Sequence, residues 1–360
     1  MAPVADAHGP LPTWLAPVTW PMARLYGVGV AWRNARFDRC VGVQRLAGVP
    51  VISVGNLTAG GTGKSPFVAW CARMLGERGA QPVIAMRGYR AQGADAAATS
   101  DEAREYAHTA PQAQLVVGPR RFEALSRAFQ GGRAEPAFAR AMVILDDGFQ
   151  HRQLARALDI VLVDASRPGL DGDLLPNGWL REPARNIARA DLVVVTKAHD
   201  AEALARTVAL VERVRGRAPD AVCDHAWSAL AVHEQGAERT ERVEWLAGKR
   251  VLSACALGNP GHFHAMVERA SGVAPATIER RDHAAMRADE LESAAARAGA
   301  AAVIVSRKDF VKLDRPPRLA LAVPELGVRF LSGESRVVDA ILDALTDAAT
   351  RRSASTSDSR

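Results

Sequence analysis

One stretch of the chain, residues 51–72, constrains the fold more than any other. It reads VISVGNLTAGGTGKSPFVAWCA, with an apolar segment before a glycine-rich turn and an apolar helical pattern after it. A short apolar segment of this kind is typical of a buried strand in a parallel sheet. The order of strand, glycine-rich turn, Lys-Ser and helix is the one that a phosphate-binding loop requires.

The residues of this loop have the chemistry that phosphate groups need. Glycines let backbone N–H groups surround phosphate oxygens, Lys64 can reach the β- and γ-phosphates, and the Ser65 hydroxyl can ligate Mg²⁺. The strict pattern asks for glycine at position 58, where this chain has Thr58. A turn that binds no ligand is the alternative, but the flanking strand and helix favour a functional loop. We therefore predict a nucleotide phosphate site formed by Thr58, Ala59, Gly60, Gly61, Thr62, Gly63, Lys64 and Ser65.

The length, charge and cysteine content limit the class of protein but do not identify its ligand. The chain has 360 residues, enough for two domains, and a formal net charge of +6. This charge favours anionic partners but does not distinguish among nucleotides, nucleic acids and lipid headgroups. The four cysteines are scattered, which argues against a disulfide framework or a zinc site and suits a reducing compartment.

A second signal is an apolar segment, residues 142–145, that ends in Asp146 and Asp147. If the two segments are neighbours in a parallel sheet, these carboxylates lie beside the phosphate loop and can hold Mg²⁺ directly or through water. A simple Asp-Asp-Gly turn is the alternative. With a phosphate loop upstream, we expect at least one of Asp146 and Asp147 to be functional.

Asp101 is a third candidate. Thr99 and Glu102 have the spacing of a capping box, which predicts a helix start with Asp101 in the first turn. Its ordinary role is to stabilise the helix dipole, and on the residues alone this role is favoured. Strand-to-helix turns in open parallel sheets also gather at the ligand edge, so a role near the nucleotide stays open.

Strand and helix patterns alternate at least six times before residue 217, which predicts an α/β fold with a doubly wound, mainly parallel sheet of the P-loop NTPase type. A second, smaller α/β pattern follows. The expected organisation is an N-terminal leader and helix (1–47), the core domain (48–217), a connector (218–248), the smaller domain (249–346) and a disordered tail (347–360).

The region 14–47 combines tryptophans and other apolar residues with five arginines. Two prolines, two glycines and Arg24 interrupt the apolar residues that a spanning helix needs. The pattern predicts an amphipathic helix that lies in an anionic membrane interface. A helix packed on the protein's own core is the alternative, and different faces of the helix can do both.

Taken together, these motifs resemble those of the tetraacyldisaccharide 4′-kinases, the lipid A 4′-kinases of bacterial envelope synthesis. The resemblance covers residues 14–345. Its strongest matches are SVGNLTAGGTGKSP, in which the threonine at position 58 belongs to the family pattern, LDDGFQH followed by DIVLVDA, and LLPNGWLREP. Shorter matches are RGYR, SDE, VTK, LGNPGHF and SRKDFVKL.

The resemblance implies an ATP- and Mg²⁺-dependent enzyme on the cytoplasmic face of the inner membrane, with a tetraacylated disaccharide 1-phosphate as acceptor and no nucleic-acid partner. It would transfer the γ-phosphate to the 4′-hydroxyl and so form lipid IVA. By the same resemblance, Ser65 and Asp146 would hold Mg²⁺, and Asp147 would act in catalysis by positioning the attacking group. Asp101 would accept the proton of the sugar hydroxyl. His283 would assist it from the second domain, although Ala284 and Met286 stand where the family has a histidine and an aromatic residue.

Other functions are also compatible with these residues. A different transferase or ligase could carry the same unusual loop, and a membrane-recruited regulatory ATPase would hydrolyse ATP without a lipid acceptor. A fold that has lost its chemistry is a third possibility. The retained Lys64, Ser65, Asp101, Asp146 and Asp147 argue against it.

Overall fold

The computed structural model describes residues 10–60, 62–88, 101–130, 140–257, 260–280 and 286–357. The chain divides into two compact units. The first comprises Met1–His225 and Arg329–Arg360, and the second comprises Ala226–Val328. The chain therefore leaves the first unit after the predicted core and returns to it near the C-terminus.

The first unit is built on a parallel sheet. Its strand order is β7-β6-β5-β1-β4-β2-β3, and each neighbouring pair is parallel. The strands are β1 (Val51–Gly55), β2 (Gln81–Met86), β3 (Gln114–Val117), β4 (Ala141–Asp146), β5 (Leu158–Asp164), β6 (Leu192–Thr196) and the first part of β7 (Ala221–Glu234). Every residue of β1, β4 and β6 is buried, as expected for strands that are covered on both faces.

The position of β1 in this order determines where a ligand can bind. The chain builds one side of the sheet through β2, β3 and β4, and then crosses over β1 to build the other side through β5, β6 and β7. Ligands of open α/β sheets bind at such a change of direction, beyond the carboxyl ends of the strands. The loop after β1 starts at this point.

Helices connect the strands of the first unit as the predicted doubly wound fold requires. They are α1 (Ala16–Asp38), α2 (Lys64–Glu77), α3 (Asp101–Thr109), α4 (Arg121–Gln130) and α5 (Ala201–Arg215). Local sequence explains several of the ends. For example, Asp200 caps α5 by accepting a hydrogen bond from the Ala203 N–H, and Gly216 ends the helix in a left-handed conformation.

The second unit is a smaller α/β structure. Its strands β9 (Val251–Cys255), β10 (Ala276–Glu279), β11 (Ala302–Val305) and the first part of β12 (Ala320–Ser332) are parallel, in the order β10-β9-β11-β12. The short β8 (Ala237–Glu241) pairs antiparallel with the end of β7. The helices are α6 (Pro260–Ser271), α7 (Ala288–Ala298) and α8 (Arg307–Phe310).

The segment boundaries differ from those expected. Residues 218–248 are not a plain connector, since they form all of β7 and β8. Polar residues hid this hairpin because the middle of β7 is only partly buried and β8 is mostly exposed. The end of β12 and the final helix, α9 (Glu334–Ser357), belong to the first unit. This helix continues to Ser357, through most of the segment expected to be disordered.

Candidate active site

The phosphate loop has the predicted local structure. It leaves the buried strand β1 at Gly55 and enters α2 at Lys64. Gly60 has φ +123° and Gly63 has φ +78°, backbone angles that residues other than glycine rarely adopt. The structure therefore brings Thr58, Ala59, Gly60, Thr62, Gly63, Lys64 and Ser65 together in one loop and one helix start, whereas Gly61 lies outside the described residues.

The segment 174–182, from the LLPNGWLREP motif, supports one side of this loop. The Ala59 N–H donates to the Trp179 carbonyl at 2.7 Å, and the Arg181 N–H donates to the Leu57 carbonyl at 2.8 Å. Thr58 pairs with Leu180 as an isolated antiparallel bridge. Thr58 is buried, so at this position the loop is an extended segment with a packed side chain rather than a glycine turn.

Lys64 and Asp147 meet at the end of the loop. Lys64 Nζ lies 3.4 Å from Asp147 Oδ1 and donates a hydrogen bond of 3.0 Å to Asn56 Oδ1. The other carboxylate oxygen of Asp147 accepts a hydrogen bond of 2.7 Å from Arg181 Nη1. Burial raises the pKa of Asp147, but the charges of Lys64 and Arg181 outweigh it and lower this pKa overall. Asp147 is therefore a carboxylate held between two cations.

Asp146, the last residue of β4, has a different environment. It is buried, and its Oδ2 accepts a hydrogen bond of 2.9 Å from the Tyr106 hydroxyl. Burial raises the pKa of this hydroxyl, and the nearby Ser65 side chain acts in the opposite direction. Burial raises the pKa of Asp146, while the hydrogen bond from Tyr106 acts in the opposite direction. Among the described residues, Asp146 Oδ1 has no hydrogen-bond partner although it is inaccessible to solvent.

A buried carboxylate, Glu182, lies behind the loop. Its oxygens accept hydrogen bonds from Asn34, Gln150, Asn186 and both terminal nitrogens of Arg189, at 2.7–3.2 Å. Burial raises the pKa of Glu182, but the Arg189 hydrogen bonds and charge lead the effects that lower it overall. Gln150 also donates to the Asn56 carbonyl at 2.8 Å. Glu182 thus fixes the residues around the start of the loop.

One face of α1 packs on the same 174–182 segment. Thr19 Oγ1 donates to Asn177 Oδ1 at 2.6 Å, the Tyr26 hydroxyl donates to the Arg181 carbonyl at 2.7 Å, and Asn34 reaches Glu182. The opposite face is unusually apolar for an exposed surface. Its side chains are between 50% and 74% exposed, and they are Trp14 just before the helix, then Val18, Trp20, Met22, Leu25, Val28 and Trp32.

We found no helix in the described ranges that combines the length and the apolar character needed to span a bilayer. The hydrogen bonds from Thr19 and Tyr26 show that one face of α1 packs on its own domain, as the alternative expectation had it. The membrane-facing role of the other face stays a prediction.

Two of the expected catalytic residues are less well defined. Asp101 is the first residue of α3, at the helix start that the capping pattern predicted, but the description covers its backbone only. His283 lies outside the described residues. Their roles in the reaction are untested and remain predictions.

Sequence reasoning missed three residues of this site. Tyr106 donates to Asp146 from α3, Glu182 organises the back of the loop, and the buried Arg121 donates to the Asp147 carbonyl at 3.2 Å. The signal available for Tyr106 and Arg121 was only their place on amphipathic helices. For Glu182, the available signal was the Arg-Glu pair in a long loop, and this pair does not indicate which residues Glu182 contacts.

The family model for tetraacyldisaccharide-1-P 4′-kinase matches residues 15–346. The chain belongs to this family. It is 37% identical over 318 residues to the tetraacyldisaccharide 4′-kinase of Anaeromyxobacter dehalogenans strain 2CP-C, covering 82% of this chain and 80% of the relative. It is 35% identical over 306 residues to the kinase of the same name from Geobacter sulfurreducens, covering 81% and 82%.

A solved structure supports the fold of this kinase. The LpxK protein of Aquifex aeolicus, determined in complex with ATP, matches with a TM-score of 0.63 over 91% of this chain and 98% of that chain, at 23% identity. The predicted fold class is confirmed. The family membership also confirms the activity, an ATP-dependent tetraacyldisaccharide 4′-kinase of lipid A biosynthesis, and removes the regulatory ATPase from consideration.

Proposed function

We propose that this kinase binds ATP with residues 58–65 and forms lipid IVA by transferring the γ-phosphate to the 4′-hydroxyl of a tetraacyldisaccharide 1-phosphate. The observation that carries the proposal is the meeting of Lys64, Ser65, Asp146 and Asp147 at the carboxyl ends of β1 and β4. Phosphoryl transfer depends mainly on positioning and on stabilising negative charge. A loop of backbone N–H groups with a lysine at its end supplies both.

The residues around Asp146 fit a magnesium ion. Asp146 Oδ1 is buried without a hydrogen-bond partner in the described structure. Ser65 lies near Tyr106, whose hydroxyl donates to the other oxygen of the same carboxylate. Mg²⁺ needs only one or two carboxylates, because phosphate oxygens and waters complete its shell. We assign Ser65 and Asp146 to the ion, which when bound would neutralise charge on the phosphates.

Asp147 has the task of holding Lys64 in place before ATP binds. Its carboxylate stays charged because Lys64 and Arg181 lower its pKa. When phosphate oxygens approach Lys64, the ammonium group exchanges part of its contact with Asp147 for the nucleotide. Asp147 then keeps Arg181 beside the site, where a second cation can stabilise the transferring group.

Asp101 is our candidate for the general base. It starts α3, and the same helix carries Tyr106, which contacts Asp146 and Ser65. A carboxylate in this position can take the proton of the attacking sugar hydroxyl. His283 as an assistant to Asp101 rests on the sequence motif alone.

We further propose that the exposed apolar face of α1 binds the cytoplasmic face of the inner membrane. An acceptor with four acyl chains leaves a bilayer at a cost of ~0.8 kcal/mol per CH₂ group, so the enzyme must reach it at the interface. The exposed tryptophans suit the headgroup level. Arg24 lies over the Trp20 ring at 4.6 Å, which places a cation beside an aromatic residue on this face.

The test is transfer of radiolabelled γ-phosphate from ATP to tetraacyldisaccharide 1-phosphate in detergent micelles, with and without Mg²⁺. Labelled lipid that forms only with Mg²⁺ supports the proposal. Release of free phosphate that does not depend on the acceptor, without labelled lipid, would contradict it. Equal rates with and without a chelator would contradict the metal assignment alone.

A further inference from the structure

Gly63, the last residue of the phosphate loop, lies against the imidazole ring of His225. A Cβ atom built on Gly63 would be 2.3 Å from His225 Nε2 and 2.7 Å from Cε1. Carbon and nitrogen atoms that are not bonded to each other do not approach so closely. The imidazole therefore occupies the space that any side chain at position 63 would need. Both residues belong to the first unit.

His225 is held in this place by the strands beside the loop. Its backbone N–H donates to Asp224 Oδ1 at 2.9 Å, and the Asp224 side chain is buried with His199 Nδ1 at 3.5 Å from the same oxygen. The strand is fixed by its pairing with β6 at residues 194–195 and by the Ala198 N–H, which donates to the Cys223 carbonyl at 3.3 Å. The ring is thus attached to the sheet rather than to the loop.

The neighbouring loop residue is held in a similar way. Thr196, the last residue of β6, donates from Oγ1 to the Thr62 carbonyl at 2.9 Å. Two consecutive residues of the phosphate loop, Thr62 and Gly63, are therefore supported by side chains of two adjacent strands, Thr196 at the end of β6 and His225 within β7. Gly63 has φ +78° and directly precedes Lys64 at the start of α2, where backbone N–H groups face a bound phosphate.

We propose that His225 is a positioning residue of the ATP site, which keeps Gly63 in its left-handed conformation and so holds the N–H groups at the start of α2 in place for the phosphates. This inference rests on the proposed role of residues 58–65 in ATP binding. It assigns His225 no contact with the reacting atoms. Its effect is to reduce the ordering that the loop must undergo when ATP binds, which is a recognised source of affinity.

The first measurement is ATP binding by His225→Ala, using isothermal titration of the full-length kinase with ATP and Mg²⁺. We expect the Kd to rise about fivefold to tenfold, with a similar rise in KM for ATP and kcat within about twofold. His225→Gln places an amide nitrogen near the position of Nε2 and should restore most of the affinity. A purely structural role would lower the thermal midpoint of both variants without this difference in Kd.

A double-mutant cycle then tests the contact itself. Gly63→Ala should weaken ATP binding about 100-fold in the native background, because the new methyl group meets the ring in addition to straining the backbone. In the His225→Ala background the same substitution should raise the Kd for ATP only about tenfold, since the backbone strain alone remains. Gly60→Ala is the matched control. Gly60 also has a positive φ but no atom near its added Cβ, so its effect should be the same in both backgrounds.

The proposal would be overturned if Gly63→Ala raised the Kd for ATP by the same factor in both backgrounds. An unchanged Kd in His225→Ala would also overturn it. If Gly63→Ala does not fold, the comparison of His225→Ala with His225→Gln decides. Failure of the wild-type kinase to phosphorylate the lipid while it still binds ATP would contradict the proposed function and leave this inference standing.

Discussion

The Tyr106 hydroxyl donates a hydrogen bond of 2.9 Å to Asp146 Oδ2, across 40 residues of sequence. Both residues are buried, and Ser65 lies near the same hydroxyl. The phenol therefore orients Asp146, one of the two proposed magnesium ligands. Removing a group that orients a metal ligand in this way usually lowers metal affinity by about 10-fold to 100-fold.

From this contact we expect Tyr106→Phe to need about tenfold more Mg²⁺ for half-maximal transfer, because the Asp146 carboxylate loses its orienting donor. The measurement is the initial rate of lipid phosphorylation as a function of Mg²⁺ concentration at saturating ATP. An unchanged half-maximal Mg²⁺ concentration would show that Tyr106 has only a packing role.

Asp147→Asn should reduce kcat by about 100-fold while ATP affinity changes by only a few fold. The amide keeps the shape of the side chain but no longer attracts Lys64 and Arg181, which lie 3.4 Å and 2.7 Å from its oxygens. Single-turnover transfer and ATP titration separate the two effects. A loss of ATP binding as large as the loss of rate would place Asp147 in nucleotide binding instead.

Asp101→Ala should lower turnover by about 10²- to 10⁴-fold, the range for loss of a general base, and leave ATP binding nearly intact. Comparing kcat with the Kd for ATP tests this expectation. Near-normal turnover of the variant would remove Asp101 from the mechanism.

Glu182→Gln should lower the free energy of unfolding by about 3 kcal/mol at pH 7, because it leaves the partly buried Arg189 charge without its buried counter-charge. The pKa of Glu182 is lowered from its usual 4.5. Its contribution to stability is therefore fully present above about pH 4.5 and is lost as the pH falls through the lower, folded-state pKa.

Urea unfolding of the two proteins from pH 7 down to pH 4 measures this difference, which should become smaller at the acidic end. Glu202→Gln is the control. Glu202 forms an ion pair with Arg206 but its side chain is 83% exposed, so its replacement should cost less than about 0.5 kcal/mol. A difference that grows toward acidic pH would be inconsistent with the lowered pKa.

Replacing Leu25 and Trp32 by glutamate should weaken binding to anionic phospholipid vesicles at least about tenfold, because both side chains are more than two-thirds exposed on α1. Vesicle sedimentation measures the binding, and ATP affinity should stay unchanged. Val311→Glu is a matched control, since Val311 is an apolar residue that is 71% exposed outside this helix. An equal loss in the control would show that the effect is one of overall charge.

The local parts of the site were predictable from sequence. Residues 51–65 follow one another in the chain, so their order alone predicted the strand, the loop and the helix. The apolar segment that ends in Asp146 and Asp147 was predictable for the same reason. Its pairing with β1, at Val54 and Asp146, confirmed that the aspartates lie beside the loop.

The missing parts depend on contacts between distant residues. Thr19 and Asn177 are 158 residues apart, and Asn34 and Glu182 are 148 apart. A periodic pattern shows which face of a helix is apolar but not what the polar residues on it will contact. The hairpin of β7 and β8 was missed because the middle of β7 is only partly buried and β8 is mostly exposed, so their polar residues resemble a connector.

The support that residues 174–182 give to two neighbours at once has a consequence for how the sequence can change. The same nine residues bond to the phosphate loop through Leu57 and Ala59 and to α1 through Asn177, Arg181 and Glu182. A substitution there is pleiotropic, since it disturbs nucleotide binding and the seating of α1 together. We therefore expect this segment to accept only substitutions that keep its contacts with both the phosphate loop and α1. An exchange of α1 between homologues would require the exchange of residues 174–182 as well.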